Sequence, residues 1–192
     1  MQITEPLAPE GFRRIPWKNG RGALVVIDGE GANSWQAGGV AWHFGRTRIE
    51  EEGPFSDYNG YERLQVVVQG AGLVLCAPDH EIELRQAMRP VRYDGGLAIR
   101  TRLEAGPVEV VNLIADKARF DIELRVCEAQ GRLACKAGRH VVYAPLGAAR
   151  ITIGVAEHHL AGNHALRLRA DAETALAVQE GCVLVGSIHA KR

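Results

Sequence analysis

The sequence carries no excess of charge: 23 Lys and Arg balance 23 Asp and Glu. No basic stripe and no acidic tail breaks the mixture, which argues against nucleic acid and anionic membrane as partners. Cysteine is sparse, and Cys76, Cys127, Cys135 and Cys182 include no C-x-x-C pair. The opening MQITEPLAPEGF lacks a basic stretch followed by an apolar run, so reduced thiols and a cytoplasmic location are the expectation. No apolar run approaches the roughly 18 residues of a membrane span. Also missing are a G-x-S-x-G elbow, a phosphate-binding Gly loop, an H-E-x-x-H pair and any amphipathic helix of normal length. Apolar residues are not scarce. A hydrophobic share of 46% over 192 residues is ample for a packed interior, in one larger domain or two lobes.

Short strand-like runs fill the chain. The stretch Gly53–Leu75, GPFSDYNGYERLQVVVQGAGLVL, organises the rest. Gly53-Pro54 opens a loop, then Leu64, Val66 and Val68 alternate with Arg63, Gln65 and Gln69, the period of a strand with one face in a core. Gly70-Ala71-Gly72 supplies permissive backbone for a hairpin, and Leu73-Val74-Leu75 is read as the returning strand. Further strands are expected at Ala23–Ile27, Ala41–Glu50, Glu81–Leu84, Leu97–Leu103 and Val108–Ile114. From Ala115 the organisation restarts, with strands at Ile122–Cys127, Gly138–Ala144, Ile151–Val155 and Cys182–Ile188. Turn signals every ten or so residues indicate an all-β sandwich or barrel. Residues 1–114 and 115–192 are therefore expected to be two closely packed barrels, with Met1–Arg14 a loosely held arm.

Chemistry-bearing residues are few. His158, His159 and His164 form the one histidine cluster, yet neighbouring His158 and His159 point to opposite faces of a strand, so a surface hairpin is the reading. Glu50-Glu51-Glu52 is read as solvated. What remains are polar groups among apolar strands and turns: Asn19, His43, Tyr61, Arg63 and Asn112. The alternation around His43 leaves its direction undecided. A buried Asn112 needs a hydrogen bond, to backbone or to a ligand. Arg63 either pairs with Glu62 or Glu109, or offers its planar fork to an anionic ligand.

Pro16-Trp17-Lys18-Asn19-Gly20-Arg21-Gly22, then Gly53-Pro54-Phe55-Ser56 with Gly60-Tyr61-Glu62-Arg63 and Gly70–Gly72, then Leu103–Val108 with Asn112, stand in one colinear order. Together they resemble the PWKNGxG, GPFSxFPGxxR…GxG and LxxGPVxDFN motifs of the HutD/Ves family. The resemblance covers about Ile15 to Ile114, and the second half matches in pattern alone. It implies tandem cupin-like (RmlC-like) jelly rolls without established catalysis, associated with bacterial histidine utilisation in a regulatory or metabolite-binding role. Metal cupins present two His and a Glu just before the Gly turn, where this chain has Tyr58, Asn59, Gly60, Tyr61, Glu62 and Arg63. No metal and no cofactor is therefore expected. The chain also departs from the family at Ala23–Val26, at His43 and Gly45, at Gly96, and at Val110-Val111, so the same ligand is not assumed. The expectation is a first barrel holding a small anionic metabolite, with Arg63 as anchor, Asn19, His43 and Asn112 as orienting groups, and Tyr61 beside them. Two alternatives stand: a metal-dependent cupin enzyme of the isomerase or dioxygenase type, and an interaction scaffold whose edge strands pair into a homodimer.

Overall fold

Residues 2–16, 23–31 and 39–191 are described by the structure, a computed structural model. Alternating β-branched and polar residues favour the pleated backbone, and the chain forms strands throughout. In order these are β1 (Gln2–Leu7), β2 (Arg13–Pro16), β3 (Ala23–Gly31), β4 (Val40–Ile49), β5 (Tyr61–Gln69) and β6 (Leu73–Cys76). There follow β7 (Glu81–Leu84), β8 (Val91–Asp94), β9 (Arg100–Leu103), β10 (Val108–Asp116), β11 (Phe120–Glu128) and β12 (Arg132–Cys135). The last are β13 (Gly138–Tyr143), β14 (Ala149–Ile153), β15 (Ala156–Leu160), β16 (Ala165–Ala170), β17 (Thr174–Glu180) and β18 (Cys182–Ala190). Among the described residues the sole helical segment is the 3₁₀ turn Pro9–Gly11, and no helix is long and apolar enough to cross a membrane.

The chain divides into two compact units, Arg13–Arg119 and Met1–Phe12 with Phe120–Arg192. In Arg13–Arg119 a sheet ordered β2-β3-β4-β10-β5-β8 faces a smaller one ordered β7-β6-β9. Ile49, Val67, Val108 and Val110 of the larger sheet meet Leu73, Leu75 and Leu84 of the smaller in one apolar core. In the other unit the sheets run β1-β16-β13-β18-β11 and β12-β17-β14-β15, around a core that includes Val142, Ile151, Leu168 and Val185. Every pairing is antiparallel. Each unit is thus a two-sheet jelly roll, the all-β class expected, with open sheets rather than closed barrels.

Three details differ from the sequence reading. The N-terminal arm is not loose: β1 pairs with β16 from Gln2↔Ala170 to Leu7↔Ala165. An edge strand of alternating polarity needs a long-range partner to declare itself. Second, β5 and β6 do not form a hairpin, because they belong to different sheets. Gly70 and Gly72 carry the chain from one sheet to the other with φ of 103° and 99°. A Cβ on Gly70 would lie 2.6 Å from the Pro107 carbonyl oxygen, so this crossing requires glycine on both conformational and steric grounds. Third, β5 is buried on both faces. Leu64, Val66 and Val68 are buried, but so are Arg63, Gln65 and Val67. Two polar members of its alternation, Arg63 and Gln65, face inward, and only Gln69 at the strand's end is exposed.

Candidate functional site

Directly opposed residues of antiparallel strands share a face, so the registers lay the interior of Arg13–Arg119 out in rows. One row runs His43, Ile114, Arg63, Tyr93 across β4, β10, β5 and β8. The next runs Gly45, Asn112, Gln65, Val91. The third is Thr47, Val110, Val67, whose valines already belong to the apolar core. The interior is therefore apolar at one end and polar at the other, and β5 supplies both through its alternate positions.

The loop before β5 closes the polar end with aromatic rings. Phe55 N–H donates to the Ile99 carbonyl at 2.9 Å, and Tyr58 N–H to the Gly95 carbonyl at 3.0 Å. Gly53 and Thr101 exchange bonds at the loop's start. So anchored, the loop holds Phe55 and Tyr58 against the Arg63 guanidinium, whose carbon lies 5.0 Å from the Phe55 ring centre, 5.4 Å from Tyr58 and 5.2 Å from Tyr93. Three such contacts stabilise a desolvated cation by roughly 1–2 kcal/mol each. They offset most of the several kcal/mol that burying an unpaired charge costs, without making it neutral.

Hydrogen bonding leaves the guanidinium incompletely matched. Arg63 Nη2 donates to Asn112 Oδ1 at 3.5 Å, a long bond, while the buried Nε has no acceptor among the described residues. Neither carboxylate proposed from the sequence reaches it. Glu62 pairs with Arg92, and Glu109 pairs with Arg46 and, at 3.8 Å, with Arg48. These acids project from the other face of their strands. On that face a groove of about 260 Å³ lies among Arg14, Arg46, Arg48, Glu50 and Glu109, where two carboxylates offset all but one of the three cations.

The neighbours are tuned away from ionisation near neutrality. Burial, assisted by the Arg63 charge, holds the His43 imidazole down at about 3, so it is neutral. Burial raises the phenols of Tyr58 and Tyr93, against the opposing pull of Arg63. Tyr61 donates to the Val40 carbonyl at 2.8 Å and stands edge-on to Tyr58, with ring centres 5.9 Å apart. Among the described residues no three His, Cys, Asp or Glu side chains converge as metal ligands.

The structure thus brings together His43, Arg63 and Asn112, and makes Tyr61 part of the wall. Asn19 lies outside the described residues, as does Trp17 of the same motif. The residues not singled out from the sequence are Gln65, Phe55, Tyr58 and Tyr93. Gln65 had a signal, since it stands two positions from Arg63 and so on the same face. Tyr93 had none, because the β5–β8 pairing that places it opposite Arg63 is long-range.

The other unit repeats the strand order, β11-β18-β13-β16 following the same pattern as β4-β10-β5-β8. The corresponding row is Glu123, Ser187, His140, in which Ser187 and His140 are buried and Glu123 is exposed. There His140 Nδ1 meets Ser187 Oγ at 2.8 Å and Nε2 meets the Lys136 carbonyl at 2.9 Å. His140 is satisfied from within the fold, whereas Arg63 is not. The histidines of the 158–164 segment lie outside this row: His159 pairs with Glu157 and His164 with the Gly162 carbonyl.

Comparison with known proteins gives these features a setting. The HutD family profile matches residues 10–185. An uncharacterised 21.2 kDa protein in the hutC 3′ region of Pseudomonas putida is 28% identical over 147 residues, 75% of each chain. HutD from Pseudomonas fluorescens SBW25, solved in a formate condition, superposes with a TM-score of 0.82 at 23% identity, over 99% of this chain and 100% of that one. A conserved protein of unknown function from Pseudomonas aeruginosa PAO1 gives a TM-score of 0.84 at 24% identity, over 97% and 98%.

Proposed function

This chain belongs to the HutD family, and from that premise we propose that its Arg13–Arg119 unit is a non-catalytic receptor for a small anionic metabolite, a carboxylate above all. The observation that carries the reading is Arg63. It is a permanent cation, 7% exposed, caged by three rings, with no carboxylate partner among the described residues and a buried Nε lacking an acceptor. A planar guanidinium fork favours a carboxylate over a spherical anion. Binding rather than turnover is supported by the tuning of the neighbours. An imidazole titrating at about 3 and phenols raised by burial neither take nor give a proton readily at pH 7. The location of the Pseudomonas putida relative beside hutC supports a regulatory or accessory role in histidine utilisation. Asn19 joins His43, Tyr61 and Asn112 in this proposal as an orienting group. Net neutrality supports a protein working without nucleic acid or an anionic membrane surface, and a cytoplasmic location is part of the same proposal.

Thermal shift against simple carboxylates and histidine-pathway metabolites tests the reading, since a ligand of the folded state raises Tm by mass action. We expect a concentration-dependent rise that Arg63→Met abolishes while the circular dichroism spectrum stays native. A rise that survives Arg63→Met, or silence throughout at millimolar ligand, overturns it.

A further inference from the structure

Gln65 is the second polar side chain that β5 sends into the interior, one row deeper than Arg63, and it is 0% exposed. Its Oε1 accepts the Tyr93 hydroxyl at 2.7 Å. Tyr93 is itself buried, and it stands opposite Arg63 in the register. In the recorded orientation the phenol's proton occupies the amide oxygen. That leaves Gln65 Nε2, which has no acceptor among the described residues. An amide buried at such depth normally has all its partners, because an unmade bond there costs far more than a made one contributes. Its row neighbours offer none: Gly45 has no side chain, Val91 is apolar, and Asn112 turns its oxygen to Arg63.

The two unmatched atoms on β5, Arg63 Nε and Gln65 Nε2, are both donors, and one carries the sole formal charge of the row system. A complementary molecule has one negative charge and a further oxygen that accepts without donating. We propose that Gln65 is a specificity-determining residue of this site, and that its ligand is a short monocarboxylate with a second, acceptor-only oxygen, as in a 2-oxo acid. The carboxylate takes the Arg63 fork, and the carbonyl oxygen takes the Gln65 Nε2–H. This rests on the anion-binding reading above and adds to it the identity of the second group. Neutral Gln65 donates to a carbonyl without demanding charge, and the row of Thr47, Val110 and Val67 beyond it, whose valines belong to the apolar core, limits ligand length.

Propionate, lactate and pyruvate test this, since they share three carbons and differ only at C2. Calorimetric titration of the full-length protein should find pyruvate bound about tenfold or more tightly than propionate, the discrimination typical of a site with an otherwise unpaired polar group. Lactate, whose hydroxyl brings a donor with no acceptor to meet, should fall below pyruvate. Gln65→Leu should bring the pyruvate-to-propionate ratio to about one while leaving propionate binding in place. Gln65→Asn keeps an amide in the core but withdraws it by a methylene, so it should lose the ratio too even if the leucine variant folds poorly. Tyr93→Phe, which frees the amide oxygen, should reduce the ratio. Equal binding of propionate and pyruvate, a ratio that persists in both Gln65 variants, or a preference for lactate each overturns the inference. Arg63-dependent binding of all three acids without discrimination sinks this inference and leaves the anion site standing. Failure of all three to bind sinks both.

Discussion

Acidification should cost the Arg13–Arg119 unit stability through His43. Burial and the Arg63 charge hold its folded pKa at about 3, against 6.5 for an ordinary imidazole. Because the folded value is the lower one, the unfolded chain takes up a proton below pH 6.5 that the folded chain refuses. Stability contributed at neutral pH is therefore lost as pH falls from about 6.5 toward 3. One pKa unit is worth about 1.4 kcal/mol, so the distance from 6.5 to about 3 sets a ceiling of roughly 5 kcal/mol. About 2 kcal/mol of that is lost between pH 7 and pH 5. All three tryptophans, Trp17, Trp35 and Trp42, fall within Arg13–Arg119, so urea unfolding followed by tryptophan fluorescence reports on this unit. Carboxylates also titrate over the range, and burial lowers the pKa of His140 in the other unit. The readout is therefore the difference between wild type and His43→Asn. Wild type should lose about 2 kcal/mol more than the variant from pH 7 to pH 5. Parallel curves would mean that His43 is protonated in the folded protein, and the reasoning would fail.

Leu73→Ala removes a side chain 0% exposed between the two sheets and should lower unfolding stability by about 2–5 kcal/mol in urea titration. Gly72→Ala forces a Cβ to 2.7 Å from the Arg85 Cα at a φ of 99° and should cost roughly 1–3 kcal/mol in the same assay. Gly53→Ala, where an added Cβ meets nothing within 4 Å, should change stability by no more than about 0.5 kcal/mol. Deleting residues 1–8 uncovers β16 along its paired edge, and faster amide hydrogen exchange in Ala165–Ala170 is the expected result.

The strands were legible because their alternation is local. Val108–Asp116 reads as β from its own residues, and so does Tyr61–Gln69. What the alternation could not say was which side is inside. On β5 the apolar series Leu64, Val66 and Val68 invites the reading that Arg63 and Gln65 face water, yet both lie in the interior. A jelly roll with a polar interior end inverts the usual inference, since its strands are buried on two faces for different reasons. His43 was undecided for the same cause, and the register β4–β10–β5 settles it by placing His43 in the row of Arg63. The exclusion of Glu62 and Glu109 as partners of Arg63 follows from side-chain parity, once the inward set is known. Tyr93 and the Phe55–Tyr58 loop needed the fold itself, because cages are assembled from segments that share no local pattern.

The pairing of β1 with β16 also has a consequence in time. The chain emerges from the ribosome amino end first, at about 5–20 residues per second. Glu5 meets Arg167 across that pairing, 162 positions later. Arg13–Arg119 is one continuous stretch, and all its partners are present once residue 119 has been made. β1 must wait through the synthesis of that whole stretch and of β11 to β15 beyond it. The interior with Arg63 can therefore close early, while β1, made before it, is among the last strands to be paired.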